Sequence, residues 1–315
     1  MGAQVGSGRA LVLGAGGFLG SHMAHRLTRA GWQVTGLVRD PSAPSVAVRL
    51  GPLGRVLRLV KGDACDRGLL RSLLSDADVV FSMTGPSASA AATPPMAAGP
   101  DSVDVLLEEL CRGHEEVRAV FAGSRLQYGR VRTPPVSENT PLAPIDWYGE
   151  EKARQERKGR TLTRDRGLNT CWTRLSVVYG PRQAVTGRPF GIVGRFFDMA
   201  VRGTPIPLYG GGSQKRDFAY VDDVTEVLEI AATHPEARGE VFNVGGPQPV
   251  SLASVAGIVA ELTGAPMPEH VSWPTGGTRV ETGDYWGDLS KASSVLGWKP
   301  ATEVPEGLER TWGSR

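Results

Sequence analysis

Through the first 180 residues, short apolar runs alternate with longer stretches in which apolar residues recur every three or four positions. The runs RALVLGA (9–15), QVTGLV (33–38), RVLRLVKG (55–62), ADVVFSM (77–83), VRAVFAG (117–123) and LNTCWTRLSVV (168–178) are rich in Val, Leu and Phe and predict strands. Between them GFLGSHMAHRLTRAG, DRGLLRSLLSDA, DSVDVLLEELCRGH and DWYGEEKARQERKGRTLTRDRG carry helical spacing and often close on glycine, as helices do. Strands that alternate with helices predict an α/β fold: a doubly wound parallel sheet covered on both faces. Two stretches break the rhythm. GPSASAAATPPMAAGP (85–100) predicts a loop at the carboxyl edge of the sheet, where such folds take ligands. After residue 180 the denser Gly and Pro of YGPRQAVTGRPFG and RGTPIPLYGGGSQK predict a second, smaller mixed region.

Composition narrows the class. The 315 residues, 40% hydrophobic and 22% charged, fit one large or two modest soluble domains. A net charge of +2 without a long Lys/Arg run gives no reason to expect a nucleic-acid partner. No apolar stretch approaches the roughly 18–20 residues of a membrane span, and MGAQVGSGRA has neither a secretion-signal pattern nor the Ser or Thr of a myristoylation signal. Cys65, Cys111 and Cys171 are scattered and odd in number, which suits reduced, buried thiols of a cytoplasmic protein. His22 and His25, three apart on a predicted helix, are expected on its solvated surface, and no metal site is expected.

LVLGAGGFLGSHMAHRL sets Gly14, Gly17 and Gly20 between the first strand and the first helix, with Phe18 and Leu19 inside the motif. Glycines at such a turn let backbone N–H groups and a helix N-terminus approach a pyrophosphate, so a dinucleotide site of Rossmann type is predicted. The first gap is one residue longer than in G-x-G-x-x-G. The second strand ends in Val38, Arg39 and Asp40. An arginine there pairs with the 2′-phosphate of NADP and an acid with the ribose hydroxyl of NAD; Arg39 tilts the choice slightly to NADP, and Asp40 keeps NAD open. Asp63, past the third strand, is placed to accept a hydrogen bond from the adenine amino group. The expected division is a dinucleotide-binding domain of residues 1–178 plus 216–247 and a substrate domain of 179–215 plus 248–315.

Four Tyr-Gly pairs compete as proton carriers, at Tyr128, Tyr148, Tyr179 and Tyr209. A tyrosine active near neutrality needs its pKa brought down from about 10, and a cation on the same helical face helps. Tyr148 has Lys152 four residues on, in a segment that opens like a helix with Asp146 as N-cap. Arg132 lies four residues after Tyr128, but YGRVRTPPVSE is no helix. Tyr148 is therefore the expected donor, and Ser124, at the end of the fifth strand, can hold the reacting oxygen beside it.

Gly14-x-x-Gly17-x-x-Gly20, Ser124-x-x-x-Tyr128-Gly129 and Tyr148-x-x-x-Lys152 together resemble the extended short-chain dehydrogenase/reductases, and within them the NAD(P)-dependent nucleotide-sugar epimerase/dehydratase family. TRLSVVYGPRQ, KRDFAYVDDV, VFNVGG, DYWGDLSKA and LGWKP are similar to further motifs of that family, in family order. The resemblance implies Ser124, Tyr148 and Lys152 as the catalytic set, with Lys152 also on the nicotinamide ribose. It implies Arg216 on the diphosphate of a nucleotide-diphosphate sugar, Thr84, Arg182, Arg279 and Tyr285 along the same pocket, and a possible homodimer through the helices near 102–113 and 147–166. Ser82 and Thr84-Gly85 depart from the His and alanines of many relatives, and Val177 from an asparagine. Where dehydratases of the family carry acids after the catalytic hydroxyl, this chain has Arg125-Leu126-Gln127. The expectation is hydride transfer at a sugar carbon, C4 first, in a 4-epimerase. An NADPH-dependent 4-ketoreductase of a deoxysugar nucleotide is the alternative, and a non-catalytic dinucleotide-sensing protein is the alternative of another class.

Overall fold

Each of the six apolar runs supplies one strand to a parallel sheet: β1 (Arg9–Leu13), β2 (Gln33–Val38), β3 (Arg58–Lys61), β4 (Val79–Ser82), β5 (Arg118–Ser124) and β6 (Thr170–Leu175). The computed structural model describes residues 8–85, 101–183, 191–273 and 281–314; the expected loop at 85–100 and Arg279 lie outside them, save Gly85 at the loop's start. The sixth run divides at Ser176. Its second half is β7 (Val177–Tyr179), which leaves the main sheet for a small one. The seventh strand of the main sheet comes from much further along, β10 (Val241–Val244), so the order is β10-β6-β5-β4-β1-β2-β3.

Alternation along the strands loads both faces. Ala10, Val12, Phe81, Val120 and Phe242 face one apolar layer. It is built on α1 (Phe18–Arg29), α2 (Pro44–Leu50) and α7 (Val221–Thr233), with Ala292, Leu296 and Trp298 of α9 (Ser290–Leu296) and the turn after it. Leu11, Leu13, Val80, Ala119 and Phe121 face the other, against α3 (Arg67–Ser75) and α4 (Ser102–Leu110). The long helix α5 (Trp147–Arg166) is mostly charged, yet lies close to this sheet because Gly159 sits where a Cβ would come within 2.1 Å of the Trp172 ring. The motif PSVAVRL, which forms α2, was not anticipated as a helix.

The smaller region holds two minor sheets. β9 (Lys215–Tyr220) pairs in parallel with β7 and antiparallel with β11 (Pro249–Ser251), while β8 (Pro207–Tyr209) pairs with β12 (Glu269–Val271). Around them α6 (Gly191–Val201), α8 (Leu252–Thr263) and α10 (Val304–Gly313) bury a third core of Phe196, Phe197, Phe218, Val255, Val259 and Leu308. No helix among the described residues is long and apolar enough to cross a membrane.

Two surface expectations are corrected. His22 is buried, its ring edge-on to Phe18 and its Nε2 2.8 Å from the Pro181 carbonyl oxygen, because α1 packs its full inner face under α7. Of the cysteines only Cys171 is buried; Cys65 and Cys111 are half-buried.

Candidate active site

The strand order reverses between β1 and β4, and a cleft opens there at the carboxyl edge of the sheet, as physical topology requires of such folds. Gly14, Gly17, Arg39, Asp63 and Thr84 all line it. Gly14 has φ +79°, a conformation that only glycine takes without strain. A Cβ on Gly20 would lie 2.2 Å from the Gly14 carbonyl oxygen, so the third glycine is what lets α1 begin so close to the turn. Gly17 caps α1 without a side chain, and no acid sits in the first turn. The first N–H groups of the helix and its positive end therefore face the cleft unopposed, a fit for a pyrophosphate. Phe18 is buried beneath this turn and Leu19 packs against the core beside it, anchoring the loop from below.

Beyond β2 the two candidate ribose readers part company. Asp40 Oδ1 accepts from the amide of Ser42 at 3.0 Å and from its hydroxyl at 2.6 Å, which holds the Asp40 carboxyl below its ordinary range. Arg39 is exposed at the cleft and, among the described residues, makes no hydrogen bond or ion pair. Asp63 is also at the cleft, with Oδ1 taken by the Cys65 amide at 2.8 Å. Thr84 shares a hydrogen bond of 2.8 Å with Ser102 at the start of α4.

Ser124, Tyr148 and Lys152 converge at the end of β5. Asp146 caps α5 by accepting from the Gly149 amide at 2.7 Å. A Cβ on Gly149 would come within 2.5 Å of the Leu126 carbonyl oxygen, so the helix starts hard against the turn that follows Ser124. That close approach brings the Tyr148 phenol to the Ser124 hydroxyl, which pulls its pKa down, while burial pushes it up to about 12. Lys152, buried, donates to the Ala122 carbonyl oxygen at 3.0 Å, and burial brings its amine down to about 8. The expected lowering of Tyr148 by Lys152 is thus absent from the chain alone. Desolvation dominates both groups, and the lysine is itself half-discharged by it at mildly alkaline pH.

Tyr128, the rival tyrosine, is saturated. Its hydroxyl donates to Asn243 Oδ1 at 2.7 Å and accepts from Arg174 Nη1 at 2.7 Å. Arg174 is paired with Glu156 at 2.5 Å, and Glu156 also accepts from Gln127 Nε2 at 2.7 Å. Sequence reasoning missed this buried network. A signal was present: Glu156 follows Tyr148 and Lys152 at the same spacing of four, on the same face of α5.

The substrate-side residues separate into two places. Arg216, on β9, bonds Glu281 Oε1 at 2.6 Å and Thr282 Oγ1 at 3.4 Å, and forms an isolated bridge with Tyr285, which is buried against Tyr128 and Val136. Arg125, which the sequence marked only as the absence of an acid, joins them. Arg182 is not brought there: with φ +62° it turns its guanidinium to the Arg49 carbonyl oxygen at 2.8 Å and lines a separate cleft with His22, His25 and Asp222.

A parallel sheet with a glycine turn at its switch point, and a serine, tyrosine and lysine at its carboxyl edge, defines an NAD(P)-dependent enzyme of the short-chain dehydrogenase/reductase type. The chain belongs to the NAD-dependent epimerase/dehydratase family, whose profile matches residues 10–245. It is 30% identical over 314 residues to YtcB of Bacillus subtilis (strain 168), an uncharacterized UDP-glucose epimerase, with 95% of each chain covered. It is 28% identical over 319 residues to a dTDP-glucose 4,6-dehydratase of Actinoplanes sp., covering 96% of this chain and 95% of that one. Among solved structures, the UDP-glucose 4-epimerase of Thermotoga maritima with UDP-glucose superposes with a TM-score of 0.84 at 27% identity, over 97% of this chain and 98% of the other.

Proposed function

We propose that the protein is a nucleotide-sugar 4-epimerase. The observation that carries this reading is the Ser124–Tyr148–Lys152 cluster beside the cleft, with Arg125 and Leu126, and no carboxylate, directly after Ser124. Removal of water from C5 and C6 needs a placed acid and base, and this stretch supplies neither, which argues against the dehydratase branch of the family. When bound, the dinucleotide supplies the hydride-accepting ring and its positive charge. Ser124 holds the sugar hydroxyl, Tyr148 takes its proton and later returns it, and Lys152 holds the nicotinamide ribose and keeps positive charge near the phenol. Arg216 takes the diphosphate of the nucleotide sugar once Glu281 yields it. Gly14, Gly17 and Gly20 seat the pyrophosphate.

Incubation of the purified protein with UDP-glucose or UDP-galactose should give a mixture of the two, followed by NMR, with no net change in reduced-nicotinamide absorbance. Arg39, free at the cleft while Asp40 is tied to Ser42, favours a second reading: an NADPH-dependent 4-ketoreductase. Stoichiometric consumption of NADPH with a 4-keto sugar nucleotide, and no epimerisation, would select that reading and sink the first.

A further inference from the structure

One side chain, Gln127, ties the turn that carries Ser124 to the helix that carries Tyr148. β5 ends in Ser124, and Arg125–Tyr128 form a single 3-10 turn behind it. Ser124 caps that turn: its Oγ accepts from the Leu126 amide at 3.2 Å. Gln127 completes the cap in the reverse direction, its Oε1 accepting from the Ser124 amide at 2.9 Å. A Cβ on Gly123 would lie 2.7 Å from that oxygen, so the glycine ahead of Ser124 lets the side chain fold back over the strand end. The other end of the amide, Nε2, donates to Glu156 Oε2 on α5 at 2.7 Å. Glu156 is itself immobilised, because Arg174 donates to both of its oxygens, at 2.9 and 2.5 Å. The partners dictate how the amide is turned: the Ser124 N–H needs its oxygen and the carboxylate needs its NH2. Gln127 is fully buried, so solvent does not replace either bond when one is lost.

The consequence falls on the Ser124 hydroxyl. With the Leu126 amide on one of its lone pairs the hydroxyl is oriented, and its proton is left for the Tyr148 phenol oxygen, the direction in which Ser124 draws the phenol pKa down. That alignment holds only while the turn keeps its place against α5, and Gln127 is the side chain that bonds both. We propose that Gln127 is a positioning residue for the reaction: by clamping the Ser124 turn to α5 through Glu156, it holds the Ser124 hydroxyl in line with the Tyr148 phenol. It acts through Ser124, and the proposal rests on the reading of Ser124 and Tyr148 as the reacting pair. Gln127 differs in this from its neighbour Tyr128, whose hydroxyl bonds Asn243 and Arg174 and not the reacting serine.

The test measures kcat and KM for UDP-glucose epimerisation in the wild type, Gln127→Met and Gln127→Glu, each also in a Ser124→Ala background, with melting curves to keep every assay on folded protein. Gln127→Met fills the same space without a polar group and should lower kcat about 10-fold or more, with KM and dinucleotide affinity near wild type. Gln127→Glu should recover part of the loss, because a carboxyl pressed against Glu156 takes up a proton and then accepts from Ser124 and donates to Glu156 as the amide did. In the Ser124→Ala background Gln127→Met should cost less than about twofold, since the group through which it acts is gone. An equal fold-loss in both backgrounds overturns the proposal. So does wild-type kcat in a Gln127→Met protein that only melts lower, because Gln127 would then be a cross-link of the fold like Tyr128. Should Gln127→Met not fold, Gln127→Glu carries the same comparison with a smaller fall. Exchange of the Ser124 amide, followed by NMR without substrate, should quicken about 10-fold or more in Gln127→Met. If the wild type epimerises no sugar nucleotide, the epimerase reading fails and this exchange decides the clamp: an unchanged rate overturns it.

Discussion

Tyr128 and Tyr148 each precede a glycine and each have a cation four residues on, yet their hydroxyls have opposite fates. Tyr128 OH spends its proton on Asn243 and its lone pair on Arg174, so it is a structural cross-link. Tyr148 has its phenol on the Ser124 hydroxyl and its ring edge-on to Trp147. Tyr148→Phe should therefore cut turnover by at least about 10²-fold while dinucleotide binding and the melting temperature stay near wild type. Tyr128→Phe should retain far more turnover but lose roughly 1–3 kcal/mol in urea unfolding, since it leaves buried Asn243 and Arg174 each short of a partner. Assaying kcat and denaturation on both separates the roles, and near-normal turnover in Tyr148→Phe would show that the proton is carried elsewhere. Lys152, brought down to about 8, sheds its own charge at mildly alkaline pH. The chain by itself thus leaves Tyr148 a weak acid.

At the scale of elements, most of the positioning comes from glycines whose missing Cβ lets two pieces of backbone meet. Gly20 against Gly14 sets α1 over the glycine turn, and Gly149 against Leu126 sets α5 against the turn that follows Ser124. Gly20→Ala places a methyl 2.2 Å from a carbonyl oxygen, so the turn must open. Dinucleotide affinity, measured by titration calorimetry, should fall at least about 10-fold, since the amides no longer converge on the pyrophosphate. Unchanged affinity would mean that the pyrophosphate is held elsewhere. The six main strands and four of the helices were legible because their apolar period is local. β10 and the break at Ser176 were not, because nothing in LNTCWTRLSVV marks where one strand leaves a sheet for another. α5 was legible as a helix through its cap and spacing, but its buried Glu156 and Gln155 make sense only once Arg174 and Asp101 are seen across from them.

Across the whole molecule, Asp217 couples the small sheet to the main one. It is 2% exposed on β9, accepts from the Gly287 amide at 2.9 Å and bonds the Ser176 hydroxyl between β6 and β7. Burial pushes its carboxyl from 3.8 up to about 6, against the pull of those hydrogen bonds. A folded value above the unfolded one means that protonation favours the native state. The contribution is complete below the unfolded value of 3.8 and is lost as pH rises through about 6. In Asp217→Asn this titration is gone, so the wild type should lose about 3 kcal/mol relative to the variant between roughly pH 4 and pH 7. Urea unfolding across that range measures it; a constant difference between the two proteins would rule out the assignment.

The sequence by itself determined the class of fold, the glycine turn and the placing of Tyr148 and Lys152 on one face of a helix, because period, capping and i, i+4 spacing are properties of a few neighbouring residues. Only the tertiary structure decided that Tyr128 is a cross-link, that Arg182 sits at another cleft, and that Arg125 and Arg216 share the hydroxyl of Thr282. Those facts depend on residues brought together from distant strands and on the desolvation that follows, which no local pattern encodes.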